Sequence, residues 1–387
     1  AFTAFETVVR RLPEGEHTLT VEVDNRFGED SALHVPNDYY SYGGITRPVV
    51  IEQLPDVFVE RVGITTKHAA DGWTADISAN IRNLADEDAS ADVTLTLAGQ
   101  TFTQTAHIPA DSTAIIRIPD AHYADVTAWT PDTPALYDLR AEIREGNQVL
   151  DDLIDRVGFR EISISGTDIL LNGKKLRLMG FNRHEEYGAF GCAVPLQAMA
   201  QDILMMKDMG CNCVRTCHYP NDPRFLDLCD EMGLLVWEEA HARGLQEEQM
   251  RNPNFMPQTR QCVREMVAQH RNHPSIFIWG CLNECADNCD YGADCYREVY
   301  ALLHDLDASR PMTAALLERP GSRVYGDSDV VSVNIYPQWY HNTPVAESLA
   351  QKLKEIREHG GAGKPVIISE IGAGGIYGYH DPLGESK

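Results

Sequence analysis

The 387-residue chain has no cysteine before Cys192, and all ten of its cysteines lie between Cys192 and Cys295. A secreted protein stapled by disulfides spreads them over its small domains, so free thiols in a reducing, cytoplasmic compartment are expected. No apolar run approaches the ~20 residues a membrane helix needs, and no basic-then-apolar leader with a cleavage site is visible. Basic residues are scarce, with 33 Lys and Arg against 58 Asp and Glu, a formal charge of -25. That balance argues against nucleic acid and anionic membranes as partners, because both require basic patches. It favours a neutral substrate. Internal repeats, low-complexity tracts and long flexible linkers are also lacking. What is present is an ordinary globular composition, 43% hydrophobic and 24% charged, on a length that predicts two or three domains.

Residues 1–54 read as β. His17–Asp24 alternates with period two, and Thr46–Glu52 is a second short strand. Two or three strands alone are marginal, so this segment is expected to be the tail of a larger sandwich. Residues 55–160 carry seven short β segments at near-regular spacing: Val57–Thr66, Thr74–Arg82, Ala91–Leu97, Phe102–His107, Ala114–Pro119, Tyr137–Arg144 and Val149–Val157. That spacing predicts an immunoglobulin-like β-sandwich. From 161 to 387 apolar strands alternate with amphipathic helices, the pattern of βα units around a parallel sheet. Seven strands are expected: Leu176–His184, Asn212–Tyr219, Leu234–Ala240, Ile276–Glu284, Met312–Leu317, Val330–Tyr336 and Val366–Ile371. The expected fold class is therefore multidomain, ending in a (β/α)8 TIM barrel that lacks its last strand. One helix is well signed. Asp222 caps it, Pro223 takes its first position, Gly233 ends it, and Phe225, Leu228, Cys229 and Met232 form its apolar stripe.

In a β/α barrel the reactive groups gather at the carboxyl ends of the strands. Six of the expected strands end on ionisable or amide side chains, including Asn182-Arg-His184, Arg215-Thr-Cys-His218, Glu238-Glu239, Asn283-Glu284, Asn334-Ile-Tyr336 and Ser369-Glu370. One such end is an ordinary solvated terminus, whereas six in succession point to a shared pocket. Glu284 and Glu370 each follow a strongly apolar strand, and strands four and seven face each other across a barrel mouth. Two opposed carboxylates are the tools of glycoside hydrolysis, in which one protonates the departing oxygen and the other attacks the anomeric carbon.

The chain resembles glycoside hydrolase family 2, the β-galactosidase and β-glucuronidase family. The stretches that carry the resemblance include Tyr40-Ser-Tyr-Gly-Gly-Ile-Thr-Arg47, Trp129-Thr-Pro-Asp-Thr-Pro-Ala-Leu-Tyr137, Arg156-Val-Gly-Phe-Arg160, Gly180-Phe-Asn-Arg-His-Glu185, Val214-Arg-Thr-Cys-His-Tyr-Pro220, Asn272-His-Pro-Ser275, Trp279-Gly-Cys-Leu-Asn-Glu284 and Ile368-Ser-Glu-Ile-Gly-Ala373. They run in the family's order and spacing. The resemblance implies that 1–54 is the C-terminal part of a sugar-binding β jelly-roll, truncated at its start. It implies Glu284 as acid/base and Glu370 as nucleophile of a retaining exo-β-glycosidase. Asn283 would bind the sugar 2-hydroxyl, Tyr336 and Arg215 would hold Glu370 ionised, and His184 and His218 would contact the sugar ring. Asp38 aligns with an acidic residue that the sugar-binding domain lends to the pocket.

Departures narrow the reading. The magnesium-dependent members place a Glu and a His beyond strand three, where this chain has Arg243 and Leu245. No metal and no other cofactor are therefore expected. The clustered cysteines fit zinc spacing only loosely, and the alternation of Cys211 and Cys213 suits packing on one strand face. The expected substrate is a β-galactoside, with β-glucuronide or another β-uronide as the alternative. A reading of a different class, an inactive carbohydrate-binding fragment, stays open, as does a full-length parent that forms homo-oligomers.

Overall fold

The alternation over 55–160 builds a sandwich in the computed structural model, which describes residues 2–36, 38–146, 148–375 and 378–380. All seven strands form where expected: β1 (Val57–Ala69), β2 (Gly72–Asn83), β3 (Ala89–Leu97), β4 (Gln100–Ile108), β5 (Ser112–Tyr123), β6 (Tyr137–Glu145) and β7 (Gln148–Val157). They pair antiparallel in two sheets, β1-β2-β5 and β4-β3-β6-β7. Ala75, Ile77, Ala79 and Ile81 of β2 face Val93, Leu95 and Leu97 of β3 in one apolar core. Alternate residues of a strand share a face, so the period-two pattern assigned this core directly.

The barrel follows. A short antiparallel sheet precedes it, made of β8 (Ile162–Ser165), β9 (Asp168–Leu171) and β10 (Lys174–Lys175). It lies within the stretch 161–387 expected to form the barrel domain. Its Ile162, Ile169 and Leu171, with Trp129, pack against Leu235, Trp237, Phe277 and Ile278 and so fill the barrel interior from below. The parallel strands are β11 (Gly180–Arg183), β12 (Cys213–Thr216), β13 (Leu235–Glu239), β14 (Ile276–Gly280), β15 (Met312–Thr313), β16 (Ala315–Leu316), β17 (Val331–Asn334) and β18 (Val366–Glu370). β15 and β16 are one stave broken at Ala314, so seven staves form among the described residues, in sheets β11 to β15 and β16 to β18. Among the described residues no strand pairs with the outer edge of β11 or β18. The Asn182 side chain instead donates to the Ser369 carbonyl at 3.0 Å across those edges. Residues 381–387 of the expected barrel domain lie outside the described residues.

The helix after β12 is α1 (Pro223–Met232), with the expected cap. Asp222 accepts from the Arg224 N–H, and Gly233 closes the helix at φ 70°. Its Phe225 and Cys229 are fully buried. The barrel docks on the sandwich through the stretches noted in the sequence. Trp129 donates to the Asp230 carbonyl at 2.9 Å, buried Arg160 donates to the carbonyls of Pro274 and Ile276, and Asn272 donates to Val62.

The two strands expected within residues 1–54 are corrected. Neither His17–Asp24 nor Thr46–Glu52 forms a strand, and the described residues before β1 contain none. Leu19, Val21 and Val23 stay 41–62% exposed. A strand needs a neighbour to satisfy its backbone and a face to bury its alternate residues. The described residues offer this segment neither. Parts of it nevertheless run over the barrel mouth, where Phe2 stacks on Tyr219 at 4.0 Å and Arg47 pairs with Glu185 at 2.8 Å.

Gly233 supplies a direct check. A Cβ there would meet the Pro131 carbonyl oxygen at 2.1 Å, whereas at Gly210, also left-handed at φ 81°, it would meet nothing. Gly210→Ala is expected to cost about 1–2 kcal/mol from the left-handed backbone alone. Gly233→Ala should lower the unfolding midpoint clearly more in denaturant titrations, because a backbone clash is added.

Candidate active site

The expected site residues converge at the carboxyl ends of the staves, in a cleft of 990 Å³ lined by Asp38, His184, His218, Glu284, Tyr336 and Glu370 among others. Beneath it lies Arg215, its side chain only 4% exposed. A guanidinium has five N–H donors, and each finds an acceptor here. Nε and one Nη2 proton bond Glu239 at 2.9 Å each, and the other Nη2 proton bonds Asn283 Oδ1 at 2.8 Å. Nη1 bonds Glu370 Oε1 at 2.7 Å and Asn182 Oδ1 at 3.3 Å. His218 Nδ1 also lies 3.2 Å from Nη2, but that nitrogen has no hydrogen left. The His218 Nδ1–H therefore donates to Glu239 Oε1 at 2.9 Å, and Nε2 keeps its lone pair. Burial, with the Arg215 charge beside it, pushes the His218 pKa well down and keeps the ring neutral.

The two candidate carboxylates have different surroundings. Glu370 ends β18. Burial alone would raise its pKa, but the charge of Arg215 and a 2.6 Å hydrogen bond from the Tyr336 hydroxyl overturn that and hold it below the usual value. The hydrogen bonds favour the charged form. Glu284 follows β14 on a loop in which Leu282 (φ 47°) and Glu284 itself (φ 53°) are left-handed. Such residues cost of order 1–3 kcal/mol each and persist only where the surroundings fix them. Here the fixing bonds are Glu284 N–H to the Ala315 carbonyl at 2.8 Å, Gly244 N–H to the Asn283 carbonyl at 2.8 Å, and the Tyr296 hydroxyl to the Leu282 carbonyl at 2.7 Å. Burial raises the Glu284 pKa, the Glu370 charge adds to it, and one hydrogen bond from Asn334 works against it. Two carboxyls in one cleft are thus pushed apart, one towards the acid and one towards the anion.

Asn283 is buried. Its Oδ1 is held by Arg215, and its Nδ2 has no partner among the described residues. His184 packs against Tyr39, with ring centroids 4.6 Å apart, and burial lowers its pKa. Asp38 stands exposed at the rim and pairs with Arg243 at 3.0 Å. Asn182, Glu239 and Asn334 stand among the strand ends that the sequence assigned to a shared pocket, but it gave them no role, and it did not place Arg243 or Tyr39 in the site. Glu239 had one visible signal, two adjacent glutamates in an otherwise apolar strand. The structure buries both and turns them to different partners, Glu238 to His270 at 2.8 Å and Glu239 to Arg215.

Metal binding finds little support in these side chains. Leu245 is fully buried in the apolar core, and Arg243 carries a positive charge, so the positions of the family's magnesium ligands offer no oxygen. One donor atom each of His184, Cys217 and His218 lie within 4.8 Å of one another. The Arg215 guanidinium 3.2 Å from His218 opposes a second cation there. Cys281, Cys285 and Cys295 pack in the core, and Cys289 accepts from the Gly292 N–H at the start of α2 (Asp290–Leu306).

Comparison with known proteins gives two family matches. The model described as "Glycosyl hydrolases family 2, TIM barrel domain" matches residues 162–382, and that described as "Glycosyl hydrolases family 2" matches residues 57–160. Among solved structures, a β-galacturonidase from Eisenbergiella tayi bound to galacturonate is 47% identical with a TM-score of 0.91, over 93% of this chain and 65% of that one. A Bacteroides uniformis β-glucuronidase is 27% identical with a TM-score of 0.80, over 91% and 45%. The β-galactosidase of Thermoanaerobacter pseudethanolicus is 30% identical over 76% of this chain and 39% of that protein. The chain thus spans well under half the length of this curated relative and about two thirds of the Eisenbergiella chain.

Arg215→Met leaves Glu239 and Glu370 buried without their cation. Breaking such a buried pair costs roughly 3–5 kcal/mol, to be read as a lowered denaturation midpoint. Arg215→Lys should recover little of it, since an ammonium cannot reproduce the planar fork.

Proposed function

The chain belongs to glycosyl hydrolases family 2, and we propose that it hydrolyses terminal β-linked sugars with retention of configuration. The observation that carries this reading is the division of the two carboxyls in one cleft, Glu370 held ionised by Arg215 and Tyr336, and Glu284 biased towards its protonated form. We read the barrel as seven staves of an eight-stranded design and the sandwich as immunoglobulin-like.

In the proposed mechanism Glu370 attacks the anomeric carbon while Glu284 donates its proton to the departing glycosidic oxygen. Water then enters, Glu284 takes its proton, and the bond to Glu370 is hydrolysed. Arg215 and Tyr336 lower the basicity of Glu370, which suits a nucleophile that must also leave. Asn283 Nδ2 is available to the sugar 2-hydroxyl, a contact that strengthens as charge develops at the anomeric carbon. His184 and neutral His218 offer the ring hydroxyls polar partners, and Asp38 closes the rim.

The glycone we propose is galacto-configured. The Asn182-Arg-His-Glu185 stretch supports a β-galactoside, and the carboxylates lining the cleft suit an uncharged sugar. A second reading, a β-galacturonide, is favoured by the 47% identity to a structure that holds galacturonate. On that reading Arg243, in the cleft beside Asp38, is a candidate partner for the C6 carboxylate.

Glu370→Gln is expected to abolish turnover of nitrophenyl glycosides, and azide should partly rescue Glu284→Ala. A wild-type rate in either variant contradicts the roles. The profile of kcat/KM against pH should be a bell. Activity rises as Glu370 ionises through its lowered pKa and falls as Glu284 loses its proton through its raised one.

A panel of nitrophenyl galactoside, galacturonide, glucuronide and mannoside tests the glycone. If the galacturonide is preferred, Arg243→Met should raise its KM by about tenfold or more, the cost of losing one charged contact, and leave the galactoside unchanged. A preference for glucuronide or mannoside would overturn the galacto assignment.

A further inference from the structure

The hydrogen bonds around the amide of Asn334, at the end of β17, favour one orientation. Its Oδ1 accepts from Ser369 Oγ at 2.6 Å. Its Nδ2 donates to Glu284 Oε1 at 2.8 Å and approaches Asn283 Oδ1 at 3.4 Å. Amide orientation is assigned from such networks, and here the neighbours agree. Arg215 Nη2 already donates to Asn283 Oδ1, which fixes that oxygen as an acceptor. A reversed Asn334 would set its own oxygen against Asn283 Oδ1 and, while Glu284 is ionised, against Oε1 as well. Asn334 is fully buried and Ser369 is 8% exposed, so bulk water does not compete for either group.

This geometry bears on where Glu284 holds its proton. In double displacement Glu284 is protonated before the first step and ionised before the second. An N–H pointing at Oε1 is compatible with both states only if Oε1 remains an acceptor throughout. We infer that Ser369 and Asn334 are a positioning pair that keeps the transferable proton of Glu284 on Oε2; the inference rests on the proposed acid/base role of Glu284. Were the amide free to turn, its Oδ1 would accept a proton placed on Oε1. The acid would then be bonded to the protein and not to the departing glycosidic oxygen. Two contacts oppose that turn: Asn283 Oδ1, which Arg215 fixes as an acceptor, would repel the reversed amide oxygen, and the Ser369 hydroxyl donates to Oδ1 in the observed orientation. Ser369 precedes Glu370 on β18, and Asn334 pairs with Glu370 in the β17–β18 register. One strand therefore carries the nucleophile and also the group that orients the acid facing it. The Asn182 side chain, bonded to the Ser369 carbonyl at 3.0 Å, holds that point of backbone.

The test separates orientation of the acid from general damage. The full chain carrying Ser369→Ala is assayed on two aryl glycosides of one sugar, a phenyl glycoside whose departure needs the acid and a 2,4-dinitrophenyl glycoside whose departure does not. A correctly placed general acid contributes 10²–10⁴-fold, so loss of its orientation should cut kcat/KM for the phenyl glycoside by about tenfold or more and change the dinitrophenyl value by less than about twofold. Ser369→Thr, which keeps the hydroxyl, should restore the phenyl rate. It also serves if the alanine variant fails to fold, since its steepness of rate against leaving-group acidity should match the wild type. Equal losses on both substrates, or no loss on either, overturn the positioning pair. A wild-type chain inactive on every glycoside overturns the acid/base reading itself, so the two failures are distinguishable.

Discussion

The site depends on one buried cation shared among fixed acceptors. Arg215 projects from β12 into a region where its charge is nearly inaccessible to water, and an unpaired guanidinium there would be very costly. Its stability requires Glu239 on the next strand, Glu370 on the seventh stave and the amides of Asn182 and Asn283 at once. Parallel register delivers them. Asn182 lies directly beside Arg215 in the β11–β12 ladder, and β13 flanks its other side. The same bonds that satisfy Arg215 orient Asn283, fix the His218 tautomer through Glu239 and hold Glu370 as an anion. Stability and proposed chemistry therefore rest on the same hydrogen bonds.

The second carboxyl is governed by a different constraint. Glu284 sits on a loop that carries two left-handed residues, held by three bonds from neighbouring elements. Desolvation dominates its environment, so it leans towards the protonated form that Glu370 is denied. Two identical side chains acquire opposite tendencies from their surroundings. The rest of the molecule keeps that contrast in place. The small sheet of β8 to β10 fills the barrel from below, and buried Arg160 ties the barrel to the sandwich.

Much of this was legible in the sequence, for identifiable reasons. The sandwich strands each bury one face, so alternation marked them. The inner barrel strands β13, β14 and β17 are buried on both faces, so they read as short apolar runs. Glu284 and Glu370 were visible because each interrupts such a run at its carboxyl end. The first barrel strand was drawn too long, since Leu176 bonds back to Ile169 and belongs to the small sheet. Residues 17–24 show the limit of alternation, for the pattern was right and the described residues offer no sheet to join. The roles of Asn334 and Glu239, and the place of Arg243 in the site, were not legible because they lie in what these residues touch, and no spacing rule encodes a partner 50 residues away, as Glu284 is from Asn334.

The central claim is that Glu370 is the proposed nucleophile, held ionised for attack on an anomeric carbon. Its most direct test is trapping with a 2-deoxy-2-fluoro β-glycoside bearing a good leaving group, followed by proteolysis and mass spectrometry of the labelled peptide. One sugar per chain, attached to Glu370, is expected. Attachment at any other residue, or release of an inverted product with no covalent adduct, would contradict it.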